Sequence, residues 1–312
     1  MGVVQSFTRR WAMAMAVVLA VAAGLIGFGA VDPATPTGTA VPMAPIPGVI
    51  AAAGTPLRIA YGSEPDTVGD LYLPSPGLVS GSSERYPVVV LIHGGGWSQY
   101  RNLGQFEPQA RQLAAAGVAV WNIEYRRLGG AGGWPVTLTD VADAVRALPT
   151  VVQQRAGGRL DLGRIHIAGH SAGGQLAAWV GGRAAAGHGL PHIRGLVLMS
   201  AVLDLRYAVN HGQDGFARRL LGGRPDEVPD RYQFASPIAN LPAGTHITAL
   251  HGGADPVVPV GQSSAYVEAA RAAGNAAELH VLPGVGHAEF TDAGSPAWAA
   301  ALAAILAQVT LG

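Results

Sequence analysis

A chain of 312 residues, 49% of them hydrophobic and with a formal net charge of zero, is long enough to bury a large core. All 20 basic residues are arginine and they gather in nothing larger than pairs, which argues against a nucleic-acid partner. There is no cysteine, so disulfides, thiolate metal sites and acylation of a cysteine are excluded.

At the N-terminus Arg9 and Arg10 precede an uncharged stretch from Trp11 to Val31. As a helix it would rise about 30 Å, enough to cross a bilayer. Residues 1–40 therefore read as a signal peptide or a membrane anchor, with Gly38 and Ala40 at the spacing of a cleavage site. The chain is expected to be exported, and either secreted or held at the cell envelope through residues 11–31. Residues 41–54, rich in Pro, Gly and Ala, read as a linker, and the folded domain is expected over 55–312.

From there short β-rich runs alternate with longer helical ones. Strands are predicted at Leu57–Tyr61, Val68–Leu73, Val88–His93, Val118–Ile123, Ile165–Ala168, Gly195–Ser200, His246–His251 and Glu278–Leu282. Helices are predicted near 104–116, 137–148, 172–185, 260–274 and 296–309. Runs such as "VVVLI" are apolar throughout, as strands buried on both faces must be. The pattern predicts an α/β class with a mostly parallel eight-stranded sheet, helices on both faces and an antiparallel start. Residues 204–243 break the rhythm. They hold 10 of the chain's 40 acidic and basic residues, and the density predicts a short, polar, solvated insertion rather than a greasy lid.

Gly169-His170-Ser171-Ala172-Gly173 fits G-x-S-x-G between a predicted strand and a predicted helix, the setting of a nucleophile elbow. The turn projects the serine hydroxyl from the sheet edge, and side chains at the two glycines would collide. The plainer alternative is a serine that only caps the helix. Upstream, His93-Gly94-Gly95-Gly96-Trp97 follows a strand directly. Glycines admit a substrate close to the backbone, where two N–H groups can hold an oxyanion. One donor is assigned to Ala172 and the other to Gly95 or Gly96.

An acid and a base must follow in the order Ser, Asp/Glu, His. Asp255 in "HGGADPVVP" and His287 in "LPGVGH" each follow a predicted strand, so both are expected at the serine's edge of the sheet. The strongest rival acid is Asp204, also past a strand but one strand too early. Among the other histidines, His93 is expected to brace the glycine loop and His170 to face away in the elbow. The two H-x-x-x-H pairs, His166/His170 and His188/His192, do not share one helical face, so no metal site and no cofactor are expected. Trp97, Tyr125 and Trp134 flank the loop and the next strand end, and are candidates for the wall of an acyl or aryl pocket.

With His93–Trp97, Glu124-Tyr125-Arg126, Gly169–Gly174, "GGADPVVP" and "GVGH" in hand, the chain resembles the α/β-hydrolases of the HGGG-type esterase/lipase group, from about residue 55 onward. Within that group it is most similar to the feruloyl-esterase-like and kynurenine formamidase-like branch. The resemblance implies an α/β-hydrolase fold and a carboxylesterase of small to medium acyl esters. It gives Ser171, Asp255 and His287 the triad roles and Gly95, Gly96 and Ala172 the oxyanion roles. An amidase, peptidase or arylformamidase-like hydrolase shares these motifs. A non-catalytic binding domain on the same fold is the alternative from another class, but it would be expected to have lost a triad member, and here none is missing. His170 departs from the acid that hormone-sensitive-lipase-like relatives favour before the serine.

Overall fold

Strand β3 (Tyr86–Ile92) is buried along its whole length. Successive side chains of a strand point to opposite faces, so a strand covered on both sides must be apolar at every position. Val88, Val90 and Ile92 join one core with Trp121, Ile165, Ile167 and Leu176. Val89 and Leu91 join another with Leu113, Trp298 and Ile305. The computed structural model describes residues 54–75, 85–210 and 214–310. The expected leader or anchor, with its run at 11–31, and all of the linker but Gly54 lie outside the described residues. Among the described residues no helix is long and apolar enough to cross a membrane.

The remaining strands are β1 (Leu57–Ala60), β2 (Val68–Tyr72), β4 (Ala119–Ile123), β5 (Leu160–His170), β6 (Gly195–Met199), β7 (His246–Gly252) and β8 (Ala277–Leu282). They form one eight-stranded sheet in the order β1-β2-β4-β3-β5-β6-β7-β8. β1 pairs with β2, and β2 with β4, antiparallel; every other pair is parallel. This is the α/β-hydrolase arrangement, with the antiparallel start that the short β1–β2 connection predicts. Because β3 to β8 run in parallel, the loops that follow them emerge along one edge, where α/β sheets place their ligands.

Helices α1 (Glu107–Ala115), α2 (Val136–Arg146) and α3 (Ala172–Ala185) occupy predicted positions. Of these, α3 is buried from Ala172 through Gly182. Its small residues allow that depth: a Cβ on Gly174 would overlap Ala201, and one on Gly182 would overlap the carbonyl of Asn240.

The charged stretch at 204–243 is not a solvated excursion. It folds into α4 (Leu205–Asn210), α5 (Asp214–Leu221) and α6 (Pro229–Ala235). Leu205, Ala208, Ala217, Leu220, Leu221 and Tyr232 are buried in the main core, while Arg218, Arg219, Arg224, Asp226 and Glu227 stay exposed. Charges that recur on one helical face leave the other face free to be apolar. Two further helices, α7 (Gly261–Ala272) and α8 (Pro296–Thr310), stand where the sequence predicts them.

Candidate active site

β5 passes into α3 through one residue, Ser171, whose φ of 55° and ψ of −119° lie outside the regions open to most side chains. The flanking glycines follow from that sharp turn. A Cβ at Gly169 would overlap the carbonyl of Gly173, and one at Gly173 would overlap the carbonyls of Ile92 and His93. Ser171 holds the N-cap position of α3 but makes no capping hydrogen bond. Its Oγ lies instead 2.9 Å from Nε2 of His287.

His287 follows β8, and its Nδ1 is 2.7 Å from Oδ2 of Asp255, which follows β7. A carboxylate only accepts, so Nδ1 carries the proton and Nε2 presents a lone pair to the serine hydroxyl. The other oxygen, Oδ1, accepts the N–H groups of Val257 and Val258 at 2.8 and 2.9 Å. The Asp255 side chain is 1% exposed. Burial alone would raise its pKa, but the His287 bond and the N–H of Val258, with that of Val257, outweigh it. They hold the acid well below the ordinary range. Asp204 is occupied elsewhere: its Oδ1 accepts the N–H of Arg206 and of Tyr207 at the start of α4.

The glycine loop after β3 turns through positive φ at Gly95 (108°), Gly96 (61°) and Trp97 (55°). Its internal bonds are made by other groups. Gly94 N–H donates to Oε1 of Gln105, and the Ser98 N–H and hydroxyl donate to the carbonyl of Gly95. Among the described residues no hydrogen bond occupies the N–H of Gly95, Gly96 or Ala172, and all three residues line the cavity that holds Ser171 and His287. The Ala172 N–H also opens α3, where the helix dipole favours negative charge. A Cβ on Gly96 would stand 2.6 Å from the ring of Phe216.

Behind the loop a buried hub holds it in place, as expected of His93. The Glu124 carboxylate faces Nε2 of His93 at 2.8 Å, the N–H of Leu103 and of Tyr125 at 3.0 Å each, and Arg127 at 3.1 Å. Burial pushes the Glu124 pKa up, but His93, Arg127 and the Leu103 N–H overcome it and keep the acid ionised below its usual range. Tyr125 stacks on the His93 ring at 4.4 Å and donates its hydroxyl to the His93 carbonyl.

The cavity measures about 250 Å³. Val202, Ala208, Phe216, Ala217 and Val258 give it apolar walls, so the insertion contributes directly. Of the three candidate wall aromatics only Trp97 lines it, its indole N–H held by Gln175 at 2.9 Å. Tyr125 is fully buried under the loop. Trp134 packs edge-on against Phe234, with the Arg231 guanidinium over its ring. Neither reaches the cavity, because each has its aromatic surface covered by those partners.

His170 does not face away. It lines the cavity, and its ring centroid lies 4.6 Å from that of His287. Its Nε2 is 2.8 Å from the His287 carbonyl, which can only accept, so the proton sits there and Nδ1 is left a bare acceptor. That Nδ1 is buried and has no hydrogen-bond partner. Burial, aided by His287, pushes the His170 pKa down to about 3, so the ring is neutral at pH 7. Gln105 and the Glu124 hub also belong to the site: Glu124 stands in the run "NIEYRR", while nothing in the sequence marks Gln105.

The BD-FAE family model matches residues 70–269. The chain belongs to this α/β-hydrolase esterase family. It is 28% identical over 249 residues to Esterase LipC of Mycobacterium tuberculosis, a match covering 74% of this chain and 59% of that one. It is 27% identical over 216 residues to Acylamino-acid-releasing enzyme 2 of Oryza sativa, covering 64% of this chain. The chain spans only 27% of the length of that rice protein. Among solved structures, a truncated carbohydrate esterase from gut microbiota shares the fold, with a TM-score of 0.68 at 24% identity, covering 83% of this chain and 98% of that one.

Proposed function

We propose that this chain is a serine carboxylesterase acting on small to medium acyl esters. The observation that carries the reading is the unbroken hydrogen-bonded series Ser171 Oγ, His287, Asp255, at 2.9 and 2.7 Å, with the hydroxyl opening into an apolar cavity. His287 Nε2 takes the hydroxyl proton as Oγ bonds to the ester carbonyl carbon. The carbonyl oxygen becomes an oxyanion facing the free N–H groups of Ala172 and of Gly95 or Gly96. The imidazolium, stabilised by Asp255, gives its proton to the departing alcohol as the ester C–O bond breaks. Water then adds to the acyl-serine by the same route in reverse, releasing the acid and restoring Ser171. The family and the LipC relative support ester hydrolysis. The relative named for releasing acylamino acids makes amides the second class to assay.

Ser171→Ala tests the reading. Turnover of 4-nitrophenyl acetate should fall by roughly 10⁴-fold, and a fluorophosphonate probe should label the wild-type serine but not the variant. Near-normal turnover by the folded variant would overturn it. A panel of esters, N-formyl aryl amides and aminoacyl amides then ranks the bond types, with esters expected to be fastest.

A further inference from the structure

Beside the apolar cavity lies a second, open chamber of about 400 Å³, lined by Tyr100, Arg101, Asn102, Gln105 and Thr291. Arg101, Gln105 and Thr291 line both spaces, so the two adjoin at a seam. Gln105 and Asn102 in this wall have used their oxygen acceptors and kept their donors, while Thr291 has spent its donor. Gln105 Oε1 already accepts the N–H of Gly94 at 2.9 Å, which fixes the amide and leaves Nε2 without a protein partner among the described residues. Asn102 Oδ1 accepts the N–H of Gly104 at 3.0 Å and leaves its Nδ2 in the same condition. A backbone N–H can meet only the oxygen end of an amide, so neither assignment is arbitrary. Thr291 donates its hydroxyl proton to the carbonyl of Ala288.

Arg101 adds a full positive charge. Its guanidinium reaches only the carbonyl of Tyr100, at 3.4 Å, and no carboxylate pairs with it among the described residues. The stem of Arg101 is anchored: its carbonyl accepts from Arg127 at 2.5 Å, and its Cβ and Cγ close over the position a Gly95 side chain would take. A cation and two oriented amide donors, with no acid in the wall, are complementary to a group that only accepts.

We propose that this chamber is a carboxylate subsite. The preferred ester carries an anionic group beyond its scissile carbonyl, held by Arg101 with the amides of Asn102 and Gln105, while its uncharged part occupies the apolar cavity. The proposal rests on hydrolysis at Ser171 and adds the charge of the substrate to it.

The test uses the full-length chain and matched ester pairs. For an anion on the acyl side the pair is 4-nitrophenyl hydrogen adipate against its methyl ester. For one on the alcohol side it is 4-acetoxybenzoate against its methyl ester. In one pair the anionic member should have the higher kcat/KM. Arg101→Met, which keeps the packed stem, should lower that ratio about tenfold, mainly through KM, the size of one charge-assisted hydrogen bond near solvent. Raising salt to about 0.5 M should erode the wild-type ratio and leave the variant's nearly flat. Equal rates within both pairs, or a ratio that survives Arg101→Met, would overturn the subsite while leaving ester hydrolysis standing. Failure to hydrolyse any of the four esters would overturn the esterase reading and the subsite together.

Discussion

Replacing Asp255 by Asn tests the proton inventory of the site without changing its shape. In the wild type Oδ1 accepts two backbone N–H groups, from Val257 and Val258, and Oδ2 accepts from Nδ1 of His287. An asparagine must keep its oxygen on the two N–H donors, because its amide nitrogen there would leave both unpaired. The NH₂ end is then turned toward His287. It donates to Nδ1, which must give up its proton, and the imidazole proton moves to Nε2. Nε2–H now points at Ser171 Oγ and can no longer receive the hydroxyl proton. The wrong tautomer should cost roughly 10⁴-fold in kcat, the size of the equivalent change in a serine-protease triad. That fall corresponds to about 5 kcal/mol of transition-state free energy. The assay is kcat for 4-nitrophenyl acetate at pH 7, with thermal unfolding by circular dichroism as the check on the fold. A folded variant within tenfold of wild type would refute both the tautomer argument and the place of Asp255 in the mechanism.

His170→Phe keeps a ring against His287 and Phe290 but removes the N–H that holds the His287 carbonyl. It should lower kcat about tenfold with KM little changed, the loss expected for one buried hydrogen bond. Unchanged kcat in steady-state assays would count against a positioning role. Glu124→Gln removes the charge from the hub under the glycine loop and should destabilise the protein by about 3 kcal/mol at pH 7 in urea titrations. The pKa of Glu124 is depressed in the folded state, so its contribution is complete above the ordinary value of 4.5 and drains away as pH falls below it. The gap between wild type and variant should therefore narrow toward pH 3; a gap that widened in acid would contradict the assignment.

What the sequence made legible here had its cause in the backbone. The glycines at 169 and 173 could be read because any Cβ there would strike main-chain carbonyls, a collision that no choice of neighbouring side chains relieves. Asp255 and His287 could be placed at one edge because they follow strands of a parallel sheet, and the direction of the sheet then decides where the loops lie. The orientation of side chains carried no such signal. His170 was expected to turn outward, yet as the last residue of β5 it stands two positions past Ala168 on the same face of the sheet, where it packs on His287 and Phe290. Tyr125 stands just past β4 and Trp134 just before α2, but Tyr125 is drawn under the loop by the His93 carbonyl and Trp134 into the aromatic contact with Phe234.

In the insertion the density of charge and its phase along the helix point to different structures, and the phase decides. In α5 the exposed Arg218 and Arg219 stand between the buried Ala217 and the buried Leu220 and Leu221. Apolar residues three and four apart make one continuous stripe, however many arginines fill the positions between them. Phe216 and Ala217 bring that helix to the cavity, where Ala208 of α4 joins them, and Phe216 lies directly against Gly96 of the glycine loop. A segment whose composition alone suggests a solvated loop thus supplies the hydrophobic wall facing Ser171. Its charged outer face keeps the helices from presenting an apolar surface to water on the opposite side.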